Sequence, residues 1–238
     1  MPDYHPLWDG GPLFAQAGPF PLSTDSVLLA HFVRIGQARR GVDLGCGAGI
    51  LPLLLLTRSE KLHMTGLELM PEAAAQAEKN LFVNGLGERS AVLRGDLREY
   101  RSLFPAGSFD LVTANPPYFP ADRGLLSPEE GRALARGEVT ASLEDVCAAA
   151  AWLCRSGGSF SLVHRPERLS ELFVCLTAHG LEPKRFRPVC HRPDAAPCLV
   201  LVEARRGGRP GLQPEPCLFL HGADGSETAE YKAAYHIK

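Results

Sequence analysis

Residues Arg40-Gly41-Val42-Asp43-Leu44 run directly into Gly45-Cys46-Gly47-Ala48-Gly49, and then into the apolar stretch 50–57. Strand, glycine loop and helix in immediate succession open a nucleotide-binding α/β sheet. The glycines let a ligand approach the main chain closely. Their spacing is D-x-G-x-G-x-G. The third glycine of a dinucleotide fingerprint, G-x-G-x-x-G, would fall at position 50, which is Ile. The pattern disfavours a dinucleotide-dependent dehydrogenase, and Asp43 suits a cationic ligand group rather than a pyrophosphate.

The following segments extend the same sheet. A second strand, 62–67, ends in Glu68 and Leu69. An acid at that strand tip can hydrogen-bond a ribose diol. Pro71 starts a helix through residue 80. A third strand, 91–94, ends in Gly95-Asp96-Leu97, and a fourth, 109–114, runs into Asn115-Pro116-Pro117-Tyr118. Acids or amides at four successive strand ends line one edge of the sheet, where open α/β folds bind ligands.

The remaining chain reads more coarsely. Ser23 or Thr24 caps a helix containing Val27, Leu28, Ala30 and His31. Residues 119–140 form a long Gly- and Arg-containing connection, a length usually tied to function. A helix at 143–154 capped by Gly157-Gly158, a strand at 159–164 and a helix from Arg165-Pro166 to residue 179 follow. Strands at 186–190 and 199–204 make an antiparallel edge hairpin. Residues 205–216 read as a basic loop, 218–221 as extended, and 228–235 as a terminal helix. The 238 residues, 45% hydrophobic, suffice for one α/β domain. Within it, 1–39 is an N-terminal segment and helix closing over a cofactor, 40–204 the core, and 205–238 a C-terminal loop and helix.

The Asn115 turn has a specific chemical use. An exocyclic adenine nitrogen is a poor nucleophile because its lone pair is delocalised into the ring. An Asn oxygen and the next carbonyl can accept both its N–H bonds and aim the lone pair at an electrophile. Proline fixes φ, and the ring of Tyr118 can stack on a flat base. Taken alone the tetrapeptide fits a rigid proline turn equally well; its place downstream of the glycine loop favours the ligand reading.

The formal net charge of −2 provides no global basic field, so a nucleic acid would be held by local patches. The 7 Cys include no Cys-x-x-Cys and no Cys/His pattern at zinc spacing, which predicts reduced thiols, no metal and a cytoplasmic location. No stretch reads as a signal peptide or membrane span.

In this order, the glycine loop, Glu68, Asp96 and the Asn115 turn resemble the class I S-adenosylmethionine-dependent methyltransferases. Gln16, Phe20 with the segment 25–30, Arg136-Gly137-Glu138, the block 164–168 and the loop 207–212 resemble, more narrowly, the bacterial tRNA(1)(Val) adenine-37 N6-methyltransferase family. The stretch before Gln16 matches nothing in that pattern. The resemblance implies a Rossmann-like α/β fold: a mostly parallel seven-stranded sheet, an antiparallel edge hairpin, and helices on both faces. It implies S-adenosyl-L-methionine as cofactor and tRNA as partner.

Carried over residue by residue, the resemblance gives Asp43, Gly45, Cys46, Gly47 and Gly49 to the methionine end of the cofactor. Glu68 and Leu69 go to the ribose, and Asp96 and Leu97 to the adenine. Phe20, Thr24 and Asp25 would close over the methionine, while Asn115, Pro116, Pro117 and Tyr118 would hold the target base. Arg123, Arg136, Arg165, Arg205, Arg206 and Arg209 are the candidate RNA contacts. Two rival reactions use a similar turn, namely methylation of a release-factor glutamine amide and of guanine N2 in ribosomal RNA. A third rival is an RNA-binding module on an inactive methyltransferase fold. Only about 39 residues precede the glycine loop, which disfavours a separate protein-docking domain.

Overall fold

The computed structural model describes residues 3–16, 23–116 and 141–236. The chain begins with a small hairpin, β1 (His5–Pro6) and β2 (Leu13–Phe14). Helix α1 (Thr24–Phe32) follows, then β3 (Arg40–Leu44), α2 (Ile50–Thr57), β4 (His63–Glu68), α3 (Pro71–Val83) and β5 (Ser90–Arg94). Next come α4 (Tyr100–Leu103), β6 (Phe109–Ala114), α5 (Leu143–Leu153), β7 (Cys154–His164) and α6 (Leu169–Ala178). The chain continues with β8 (Leu181–Cys190), β9 (Pro197–Arg206), β10 (Gln213–Pro214), β11 (Leu218–Phe219) and α7 (Ala229–Ala234).

The main sheet has the order β10-β8-β9-β7-β6-β3-β4-β5, with β11 also paired to β8. Strands β5, β4, β3, β6 and β7 are mutually parallel, and β9 is antiparallel to both β7 and β8. The central strands are covered on both faces, which is why they read as nearly continuous apolar runs. Side chains alternate between the faces. Leu111, Val163 and Leu201 join α1 and α2 on one side; Val112, Leu162 and Val202 join α5 and α6 on the other. Burial of each such side chain stabilises the fold by roughly 1.5–3 kcal/mol.

The expected seven-stranded core with its antiparallel hairpin is present. Three local readings differ. First, the C-terminal segment does not pass as a plain loop: β10 and β11 add to the outer edge of β8 in parallel register, covering a strand edge that would otherwise be exposed. Second, Gly157 does not cap α5. That helix ends at Leu153 with Cys154 already extended, and Gly157 (φ 74°) sits within β7, where the register with β6 slips. Third, the hairpin strands are longer than 186–190 and 199–204, so Arg205 and Arg206 belong to β9. Among the described residues no helix is long and apolar enough to cross a membrane.

Candidate active site

The strand register sets the site. Leu44 lies opposite both Leu67 and Ala114, and Glu68 opposite Arg94. The tips of β3, β4, β5 and β6 are therefore level, and the glycine loop, Glu68, Asp96 and Asn115 share one edge of the sheet.

The loop glycines have different duties. Gly45 (φ 73°) and Gly47 (φ 54°) are left-handed, and a Cβ on either would meet no described atom within 4 Å. Both face open space at the strand tips. Gly49 (φ 83°) faces α3 instead, where a Cβ would come within 3.0 Å of Ala77 Cβ. Cys46 also turns inward and is buried beside Gly66. Gly45 and Cys46 both donate their amides to the Leu67 carbonyl, at 2.8 and 3.0 Å, which fastens the loop to β4.

Glu68 braces the loop from below. Its carboxylate accepts the Gly47 amide at 2.7 Å and the Met70 amide at 2.8 Å. A carboxylate offers about four acceptor sites, so these two bonds leave capacity for a diol. Leu69 beside it is exposed. Asp43 is 1% exposed and accepts the Thr113 hydroxyl at 2.6 Å. Burial pushes its carboxyl up to about 7; the Thr113 bond opposes this, and the nearby Glu68 charge adds to it. A cation at the loop would draw it back towards the ionised form.

Asp96 caps a short 3-10 turn by accepting the Arg98 amide at 2.9 Å. Its carboxylate also receives Arg98 Nε, at 2.9 and 3.0 Å, which holds it below the usual carboxylate range. An adenine at Asp96 would share it with Arg98. Leu97 packs against the apolar cluster beneath.

Asn115 is half-buried, and Pro116 behind it is buried. The Asn115 side-chain nitrogen donates to Ser26 Oγ at 2.9 Å and Ser23 Oγ at 3.3 Å. Ser23 is also the N-cap of α1, accepting the Ser26 amide. The same turn that begins α1 thus grips the turn that ends β6, and it brings Thr24 and Asp25 to the site. Thr24 Oγ1 in turn accepts the Tyr235 hydroxyl at 3.0 Å, so α7 supports this rim.

Ser26, Tyr235 and Asn80 are absent from the sequence-based list. Asn80 is fully buried. Its Nδ2 donates to the Ala48 and Ala15 carbonyls, each at 2.8 Å, and its Oδ1 accepts the Ala15 amide at 3.0 Å. One turn on, Asn84 makes the same paired bonds to the Leu13 backbone. Two amides four residues apart on an otherwise Ala-rich helix were the available signal. They clamp the segment that leads into the exposed Gln16 onto the glycine loop.

The arginines divide sharply. Arg165 follows the tip of β7 at the ligand edge, its Nη1 donating to the Cys198 carbonyl at 3.3 Å. Arg205, Arg206 and Arg209 do not join it. Because β9 runs backwards, Arg205 pairs with Ser159 while Val200 pairs with His164, so the C-terminal end of β9 lies at the opposite edge. Arg206 is occupied there, donating to the His179 carbonyl at 2.8 Å. Arg209 is exposed beside Lys184, which donates to its carbonyl. The basic residues of β8 are internal braces. Arg185 is buried against Glu203, Glu215 and the Phe32 ring, and Arg187 pairs with Glu230. Phe20, Pro117, Tyr118, Arg123 and Arg136 lie outside the described residues.

The model of the methyltransferase small domain matches residues 22–126. A tRNA1(Val) (adenine(37)-N6)-methyltransferase from Tolumonas auensis is 35% identical over 217 residues, 89% of this chain and 86% of that protein. The chain belongs to the tRNA1(Val) (adenine(37)-N6)-methyltransferase family. A member from Aeromonas hydrophila is 31% identical, over 88% of this chain and 86% of its own. Among solved structures, a protein from Agrobacterium tumefaciens described as a predicted O-methyltransferase superposes with a TM-score of 0.73 at 26% identity, covering 90% of this chain and 96% of that one. The geranyl diphosphate C-methyltransferase of Streptomyces coelicolor A3(2), solved with S-adenosyl-L-homocysteine, has a TM-score of 0.57 at 14% identity, over 75% and 78% of the two chains. The architecture is the class I methyltransferase fold, and this member of the family is an N-methyltransferase.

Proposed function

We propose that this chain transfers a methyl group from S-adenosyl-L-methionine to N6 of an adenine in tRNA, at position 37 of the anticodon loop. The observation that carries this reading is the anchoring of Asn115. An amide gripped through its nitrogen by Ser23 and Ser26 presents its oxygen on the other branch, as an acceptor for the N–H of an exocyclic amine. Its relatives, known as tRNA1(Val) (adenine(37)-N6)-methyltransferases, support adenine as the nucleoside and position 37 as its place.

The site residues fit the cofactor. Gly45 and Gly47 leave room that a side chain would fill, Glu68 keeps acceptor capacity for a ribose diol, and the buried carboxyl of Asp43 gains from a positive neighbour. When bound, the cofactor supplies a sulfonium methyl, already strongly electrophilic. The chain's own work is alignment and electrostatics. Asn115 and the following carbonyl orient the N6 lone pair, while the bracing of the α1 turn by Tyr235 keeps Thr24 and Asp25 in place. The N6 proton becomes acidic only as the methyl group arrives, so a side-chain base is not needed. An adenine in a structured loop must first be unstacked, at a cost of a few kcal/mol.

The test is methyl transfer from labelled S-adenosyl-L-methionine to tRNA, ribosomal RNA and release factor in parallel, followed by digestion. N6-methyladenosine in tRNA is the expected product. Label on a glutamine or on guanine N2 would overturn the reading.

A further inference from the structure

On the face of the sheet that they cover, α5 and α6 bring together three side chains that the methyl-transfer site does not use. Glu144 lies in the first turn of α5. Cys175 and His179 stand one turn apart at the end of α6. His179 Nε2 is 2.6 Å from Glu144 Oε1, and the Cys175 thiol donates to Glu144 Oε2 at 3.2 Å. One ligand atom from each of the three lies within 4.8 Å of the others. Cys175 is buried, the His179 side chain is 23% exposed and that of Glu144 68% exposed, so the cluster opens to solvent on one side. The Cys147 thiol, three residues after Glu144 on α5, lies against that of Cys175.

We propose that Glu144, Cys175 and His179 form a binding site for a borderline-soft divalent cation of the zinc type, with the Cys147 sulfur or a water as fourth ligand. The donor set decides the class of ion. Sulfur, imidazole and carboxylate together suit zinc, whereas magnesium and calcium take oxygen donors. Spacing agrees as well. Tetrahedral zinc with bonds of about 2.0–2.3 Å separates its ligand atoms by roughly 3.3–3.6 Å. The two Glu144 contacts need to open by less than an ångström, and Cys175 and His179 already lie within 4.8 Å, adjustments that side-chain rotation supplies.

The charge balance is also favourable. Binding releases the Cys175 thiol proton, and one thiolate with one carboxylate neutralises the divalent ion; imidazole binds neutral. Recruiting Cys147 releases a second proton. The C-terminal end of α6, with its negative dipole, supports a cation at His179. Arg206, bonded to the His179 carbonyl, is the opposing charge. The sequence conceals the site because its ligands come from two helices, with Glu144 and Cys175 separated by 31 residues of chain. The visible half is Cys175-x-x-x-His179, one helical turn.

The consequence is a clip between α5 and α6, on the face of the sheet opposite α1 and α2. The full chain, reduced and stripped with a chelator, is titrated with cobalt(II) alone. The expected result is one equivalent bound with thiolate-to-cobalt charge-transfer absorption, bleached by zinc(II), and a higher thermal midpoint with zinc. Cys175→Ser should lose the absorption. His179→Gln should weaken binding about a hundredfold, since loss of even an outer partner of a ligand costs 10–100-fold. Cys190→Ser with Cys217→Ser, a separate thiol pair 2.8 Å apart, should retain it. Absence of the absorption in the parent protein overturns the proposal, as does a cobalt affinity equal to the parent's in both Cys175→Ser and His179→Gln. If Cys175→Ser fails to fold, the partly exposed His179→Gln decides alone, and a cobalt affinity equal to the parent's overturns the proposal.

Discussion

The Ser26 hydroxyl oxygen accepts a hydrogen bond from the side-chain nitrogen of Asn115 at 2.9 Å, across 89 residues of chain. Ser26 is nearly fully buried, so the bond is shielded from water. Its worth lies in which way it turns the Asn115 amide.

Ser26→Ala removes one of the two hydroxyls gripping that amide. A net hydrogen bond of this kind is worth about 0.5–1.5 kcal/mol, so turnover should fall up to about tenfold while S-adenosyl-L-methionine affinity stays within about twofold. Asn115→Ala loses the acceptor itself and should cost about a hundredfold or more in turnover. Steady-state kinetics beside calorimetric cofactor binding separates the two. Equal losses of turnover and cofactor affinity in Ser26→Ala would show that the serine shapes the cofactor pocket instead.

Gly47→Ala and Gly49→Ala place the same methyl group in opposite surroundings. Both must hold a left-handed backbone, a strain of about 1–2 kcal/mol. Only Gly49→Ala also presses on Ala77 of α3. It should lower the unfolding midpoint further than Gly47→Ala does. Gly47→Ala should lose more cofactor affinity, because its methyl group enters the open side of the loop. Reversal of that order in melts and calorimetry would refute the division of duties.

Asp43 ties stability to pH. Its folded carboxyl titrates near 7 and its unfolded one near 3.8. Between those values the folded state binds more protons, so stability falls as pH rises through the window, and the full cost is present above pH 7. At 1.36 kcal/mol per unit the ceiling is about 4 kcal/mol. Asp43→Asn keeps an acceptor for Thr113 without the charge. It should gain on the parent chain as denaturant unfolding moves from pH 5 to pH 8. A constant difference across that range would mean that Asp43 does not titrate there.

The arginine register makes a separable prediction about RNA. Arg165→Ala, at the ligand edge, should weaken tRNA binding and reduce the salt slope by about 1. Arg205→Ala with Arg209→Ala, at the far edge, should leave both unchanged. Filter binding of tRNA at several salt concentrations reads the slopes directly, and a loss confined to the far-edge pair would place the RNA on the other side of the sheet.

The parallel core was readable because strands such as 109–114 are buried on both faces and spell their burial in sequence. The strand tips were readable too, since a parallel sheet sends every β3-to-β6 tip to the same edge. Reversal of direction is what residue type cannot convey. Arg205 looks like any loop arginine until the antiparallel pairing of β9 carries it away from the site. The start of β8 was missed because Pro183, Lys184 and Arg185 interrupt the apolar pattern, although Arg185 is buried by its ion pairs and by Phe32. Two-residue strands such as β10 have no period to detect. Ser26 was hidden in plain view as one more polar residue in a helix cap.

The Tyr235–Thr24 bond spans 211 residues, and it has a consequence in time. At about 5–20 residues per second of synthesis, Thr24 waits on the order of ten to forty seconds for its partner to be made. The central strands and the glycine loop are all translated in that interval. A nascent chain can thus hold a folded sheet well before the α1 turn that carries Thr24 gains its brace from α7.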